Sequence, residues 1–73
     1  MDVLLSMSVF RRIVEIESFS AVAREMGLSQ PTVSKHVAAL EQRLDAKLLN
    51  RSTRRMSLTD AGRSFYEPCS RIL

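Results

Sequence analysis

Residues 27–37 read GLSQPTVSKHV, and the assignment of the fold turns on this stretch. A glycine, a serine two residues on and a proline two further on are punctuation marks of a helix end followed by a helix start. Glycine takes the left-handed conformation that closes a helix without a Cβ clash. Ser29 is placed to cap the next helix, and Pro31 falls in its first turn, where a missing N–H has no intrahelical partner to lose. The proline therefore marks a start. At about 100° per residue, Val33, Val37, Leu40 and Leu44 line one narrow face of this helix. Pro31, Ser34, Lys35, Ala38 and Gln42 share the opposite face, which carries no large apolar group and no acid.

Upstream, Ser18 to Met26 forms a helix whose leading serines can cap it and whose apolar stripe is Phe19, Val22, Ala23 and Met26. Before it, Leu4, Met7, Phe10, Ile13 and Val14 recur at the period of an amphipathic helix running from Asp2 or Val3 to Glu17. Downstream, AKLLNRSTRRMSLT departs from that period. Leu48 and Leu49, then Met56 and Leu58 alternating with Ser57, flank a polar, arginine-rich stretch, the pattern of two short strands with a basic tip. Thr59 and Asp60 restart a helix, with Asp60 against the positive end of its dipole. Ala61, Phe65, Cys69 and Ile72 then form a seam that could meet another helix.

Composition bounds the function. The 73 residues suffice for one small domain, 45% hydrophobic and 26% charged, as in a folded chain. No apolar run approaches the roughly 20 residues that span a bilayer, and MDVLLSMSVFRR lacks the basic start and cleavage site of a secretory signal. The expected location is the cytoplasm. One cysteine and one histidine allow neither an internal disulfide nor a standard metal-ligand cluster. No nucleophile and base, carboxylate pair or phosphate loop can be assembled, so an enzyme is not expected.

The net charge of +3 is unevenly spread. Between Ser29 and Leu58 stand Lys35, Arg43, Lys47, Arg51, Arg54 and Arg55 against Glu41 and Asp45, a local balance of +4. The residues before it sum to −1 and those after it to zero. A basic stretch of this kind fits a polyanion partner, and it fits a solvated helix and loop as well.

The order of elements favours the first. Helix, sharp turn and second helix, with small apolar Ala23 and Val33 where the two cross, is the spacing of a helix-turn-helix, whose second helix enters the DNA major groove. A basic hairpin directly after it is the wing of a winged helix-turn-helix, able to reach phosphates or a minor groove. The fold expected is mainly α, a three-helix core with a two-stranded wing and the start of a further helix. A winged-helix module that binds protein instead of DNA is the competing reading.

At these residues the chain resembles a known family. The run SFSAVAREMGLSQPTVSKHVAALEQRLDAKLLNRSTRRMSLTDAG, with its SQPTVS block, its ALEQRL and its LTDAG in order, is similar to the DNA-binding region of LysR-type transcriptional regulators. The resemblance implies a winged helix-turn-helix over residues 1–58 and, over 59–73, the start of a linker helix that dimerises. It also implies an effector-binding domain outside these 73 residues, where a small-molecule effector would bind. The partners implied are double-stranded DNA and a second copy of the regulator. With the linker helix cut short, these residues by themselves are expected to be monomeric or weakly dimeric.

The family's base-contacting positions fall on Gln30, Pro31, Ser34 and Lys35, with Arg51 and Arg54 in the wing. The full contact set expected is Ser29, Gln30, Pro31, Thr32, Ser34 and Lys35 from the recognition helix, about residues 30–44, and Arg51, Arg54 and Arg55 from the wing, residues 50–55. Gln30 can pair bidentately with adenine, Pro31 offers an apolar surface to a thymine methyl, and the short hydroxyls of Thr32 and Ser34 permit close approach. Lys35 stands where the family often has arginine. Lysine lacks the planar fork, which weakens the case for strict guanine readout there. His36, beside this face, is expected to point to solvent or to a phosphate.

Two expectations concern the last helix. Pro68 lies well inside it and predicts a kink or break near Ser64 to Pro68. Phe65, Cys69 and Ile72 form the expected dimer seam, which such a bend would redirect, with Cys69 a small buried apolar residue in place of a redox switch.

Overall fold

The computed structural model describes residues 2–51 and 56–72. Arg54 and Arg55 of the expected contact set lie outside the described residues. The element order is α1 (Val3–Ile16), α2 (Phe19–Met26), α3 (Gln30–Leu44), β1 (Leu49–Arg51), β2 (Met56–Leu58) and α4 (Asp60–Ile72).

Each helix starts on a side chain that accepts a bond from a backbone N–H otherwise left without a partner. Asp2 takes the amide of Leu5 at 3.3 Å, Ser18 that of Ala21 at 3.1 Å, Ser29 that of Thr32 at 3.2 Å, and Thr59 that of Gly62 at 2.9 Å. The ends are less conventional. Gly27 closes α2 at φ 67°, but α1 and α3 close on Glu17 and Asp45, at φ 62° and 52°. These two non-glycine residues take the left-handed conformation common at helix ends, and the backbone N–H of each bonds back to a carbonyl of the last turn.

α1 is the hub, packed against α2, α3 and α4. Its Met7, Val9, Phe10 and Ile13 join Val22, Ala23, Val33, Val37, Leu40, Leu48, Leu49 and Cys69 in one buried cluster. The Phe10 and Phe65 rings sit 5.7 Å apart and tilted by 44°, a favourable aromatic geometry that docks α4 on α1. Arg12 on α1 reaches Glu25 on α2 through two bonds of 2.7 and 2.8 Å, and also binds Glu15. Tyr66 on α4 donates to the same Glu15 at 2.8 Å. These partners, Tyr66 first and Arg12 second, hold the Glu15 carboxyl below the usual carboxylate range, and Glu15 in turn pushes the Tyr66 phenol up.

The wing is antiparallel, with Leu49 opposite Leu58, Asn50 opposite Ser57 and Arg51 opposite Met56. Its base is held close to α4. A Cβ added to Gly62 would stand 2.1 Å from the Leu48 carbonyl oxygen, so only glycine lets α4 approach there. Among the described residues no helix is long and apolar enough to cross a membrane.

Three expectations need correction. His36 does not face solvent or phosphate: it is 5% exposed and its Nδ1 lies 2.7 Å from the buried Ser6 Oγ on α1. On the helix wheel it sits about 60° from Val33, close enough to the apolar stripe for α1 to cover it. Leu44, placed on the core face by periodicity, is 41% exposed, because at the last residue of α3 the stripe outruns its cover. The third correction concerns α4, where no break occurs near Ser64 to Pro68. The helix runs unbroken through Pro68, and Ser64, whose carbonyl loses its partner there, is exposed to solvent that can replace it. Cys69, expected at a dimer seam, is fully buried within the chain, and Phe65 is half-buried with its ring against Phe10. Ile72 alone of the three is exposed, at 62%.

Candidate nucleic-acid interface

The leading edge of α3 is open to solvent. Ser29, Gln30, Pro31 and Lys35 are exposed, and Thr32 and Ser34 are half-buried beside them. The edge is slender because its outward residues are short or unbranched, and it is rigid because its first turn is closed twice. Ser29 Oγ accepts from the Thr32 amide and donates to Thr32 Oγ1 at 2.9 Å. Ser29 and Thr32 are therefore engaged with each other. Gln30 and Lys35 are exposed and make no hydrogen bond or ion pair to another described residue.

Behind α3 the wing brings Arg51 back over the same edge. Its Nη1 lies 3.4 Å from Ser34 Oγ, and its guanidinium carbon stands 4.5 Å above the Phe19 ring at the start of α2. A guanidinium over an aromatic face gains from the ring quadrupole and loses little hydration. Arg51 thereby touches α2 and α3 from β1, joining the wing to both helices of the turn. Of the expected contact residues, Ser34 and Arg51 are brought within bonding distance of each other, and Gln30, Pro31 and Lys35 lie along the same edge. Phe19 was expected only in the apolar stripe of α2, and nothing local marks it as a seat for Arg51.

Between α3 and the wing runs an open groove of about 550 Å³, bordered by Ser34, Lys35, Ala38, Lys47, Asn50 and Arg51. Three of these six carry positive charge. Glu41 also borders it, but its carboxylate is turned onto the backbone at the base of the wing, accepting from the amides of Leu48 and Leu49. One of the two acids that temper the basic stretch in the sequence is thus occupied within the fold. A rigid slender edge beside a cationic groove is chemically suited to an extended polyanion whose surface also offers hydrogen-bonding edges. Among the described residues no group of three or more His, Cys, Asp or Glu side chains could hold a metal ion.

Comparison with known proteins agrees with this geometry. Residues 4–63 match the family described as bacterial regulatory helix-turn-helix protein, lysR family. Over all 73 residues the chain is 49% identical to the HTH-type transcriptional activator AaeR of Escherichia coli K12, and covers 24% of that protein. It is 50% identical over 64 residues, 88% of the chain, to an HTH-type transcriptional regulator of Xanthomonas campestris, covering 19% of it. The chain thus spans about a quarter or less of the curated relatives it matches. Among solved structures, the DNA-binding domain of CbnR in complex with DNA superposes with a TM-score of 0.89 at 35% identity, over 99% of this chain and 82% of that one. The complex of the BenM DNA-binding domain with catB site 1 DNA does so with a TM-score of 0.89 at 30% identity, over 99% and 80%. With matched residues running from the first helix through the wing into α4, this chain belongs to the LysR family of bacterial helix-turn-helix regulators.

Proposed function

We propose that this domain binds double-stranded DNA in a sequence-dependent way, with α3 as the recognition helix in the major groove and the wing on phosphates or an adjacent minor groove. The observation that carries this reading is the exposed edge from Gln30 to Lys35 set against the cationic groove. Two of its solved relatives are DNA complexes of the same fold.

Roles divide by chemistry. Gln30 reads a base edge, adenine being its bidentate match, and Pro31 meets a thymine methyl. Lys35 contacts guanine or phosphate as a point charge. Ser34 and Arg51, already joined, reach the DNA as a pair. Arg54 and Arg55 supply further phosphate or minor-groove contacts, and Ser29 and Thr32 contribute mainly by holding the first turn. Phosphate neutralisation supplies most of the affinity and the start of α3 most of the specificity.

The domain does no catalysis; it belongs to a cytoplasmic transcriptional regulator that works as a dimer or higher oligomer. A small-molecule effector binds a part of that regulator outside these 73 residues. α4 begins the linker that leads to it, residues 1–58 being the DNA-binding unit and 59–73 the start of the linker, with Ile72 free to continue an intermolecular seam.

Selection of bound sequences from random duplex DNA, with a full-length or covalently paired protein, tests the reading. Enrichment of a two-part site with centres about one helical turn or a multiple apart is the expected result. An unenriched pool would contradict it.

A further inference from the structure

Glu41 stands out as an acid on the face of α3 that borders the cationic groove, and the interface described above makes no use of it. Its side chain is only 14% exposed. Oε2 accepts from the Leu48 amide at 2.9 Å and from the Leu49 amide at 3.4 Å, while Oε1 lies 3.9 Å from Lys47 Nζ. Its main chain is committed as well: the Glu41 carbonyl accepts from the Ala46 amide at 3.1 Å, closing the C-terminal end of α3 around Asp45. One residue therefore fixes both where the recognition helix stops and where the wing begins.

The other side of the same short segment is held from α4. The Thr59 amide donates to the Leu48 carbonyl at 3.1 Å, and its hydroxyl donates to the Lys47 carbonyl. Lys47 to Leu49 is thus gripped through its N–H groups by α3 and through its C=O groups by the start of α4. A carboxylate taking two backbone N–H groups forms charge-assisted bonds, stronger than neutral ones and directional.

We propose that Glu41 is a positioning residue for DNA recognition: it sets the base of the wing against the recognition helix, so that Arg51 meets the same DNA that the start of α3 reads. The proposal rests on the DNA-binding reading above. It opposes the simple electrostatic expectation, in which a carboxylate beside a polyanion only repels it.

Two variants separate these. Glu41→Gln removes the charge and keeps an acceptor oxygen; Glu41→Met keeps the stem and removes the acceptor. Amide hydrogen exchange reads the wing directly and needs no DNA. In E41M the Leu48 and Leu49 amides exchange at least about tenfold faster than in E41Q, while Val9, Phe10 and Val37 keep the parent's protection. Affinity for the selected duplex then falls about tenfold in E41M relative to E41Q, as expected for lost charge-assisted bonds. Discrimination against random duplex falls with it, since general phosphate attraction survives a displaced wing. Unchanged exchange at Leu48 and Leu49, or equal DNA affinity in the two variants, overturns the proposal. So does an E41M chain that fails to fold while E41Q folds, since Glu41 would then support the whole domain. Failure of the DNA-binding reading itself is distinct: neither parent nor variants would bind duplex DNA, whatever the exchange shows.

Discussion

His36 on α3 and Ser6 on α1 share a hydrogen bond of 2.7 Å between Nδ1 and Oγ, buried on both sides. It is a polar tie between the recognition helix and the hub of the core.

Removing the hydroxyl with Ser6→Ala leaves the buried Nδ1 without a partner, and a loss of about 1–3 kcal/mol is expected. Replacing both groups, as in Ser6→Ala with His36→Leu, recovers part of that loss, since no unsatisfied polar atom remains. Urea unfolding of parent, single and double variants measures this, and a double variant weaker than Ser6→Ala would speak against the bond's importance.

The two glycines differ in kind. Gly27 has open space around its missing Cβ and a left-handed φ of 67°, so Gly27→Ala costs only the backbone preference, about 1–2 kcal/mol. Gly62 has the Leu48 carbonyl oxygen 2.1 Å from where a Cβ would stand, so Gly62→Ala must push α4 and the base of the wing apart. Its cost is expected to reach about 3 kcal/mol or more, most of the net stability of a domain this small. Parallel melting curves rank the two, and an equal loss at both positions contradicts this account.

Why one glycine could be read from the sequence and the other could not is a matter of range. Gly27 lies between two periodic segments, and its neighbours alone announce a helix end. Gly62 is needed because of Leu48, 14 residues away, and no local pattern reports that approach. The same holds across the molecule. The caps at Ser18, Ser29 and Thr59, Pro31 as a helix start, the wing and the slender edge of α3 are all set by local chemistry. His36, Glu41 and the Arg51–Phe19 contact are set by which other element packs against them: α1 on His36, and the wing and its base on Glu41 and Phe19. Glu17 and Asp45 were unreadable for another reason: neither residue favours the left-handed region as glycine does.

The Glu15–Tyr66 bond makes stability depend on pH at both extremes. Glu15 is held below its usual range, so its contribution is complete above the ordinary carboxylate pKa of about 4.3 and is lost as pH falls through the lower folded value. Tyr66 is pushed up, so its contribution is complete below about 10 and is lost as pH rises through the higher folded value. The stability difference between parent and Tyr66→Phe should therefore be level through neutral pH and shrink at either end. A difference that keeps its neutral-pH value in acid would show that Tyr66 is not coupled to that carboxylate.

Cys69 is fully buried, and burial pushes its thiol up to about 11. Reaction with a thiol reagent at pH 8 is expected to be slow in the folded chain and complete in denaturant, because both the thiolate and access are lacking. Labelling of the native chain at the rate of a free cysteine would place the thiol at the surface and break the packing of α4 on α1.

The central claim is that the Gln30–Lys35 edge and the basic wing form a surface for duplex DNA. Its most direct test is the affinity of this domain for the selected duplex as a function of salt. Neutralisation of several phosphates predicts that log K falls linearly with log salt, with a slope of about −3 or steeper at roughly −0.9 per phosphate. A slope near zero, with binding persisting unchanged from low to moderate salt, would contradict it.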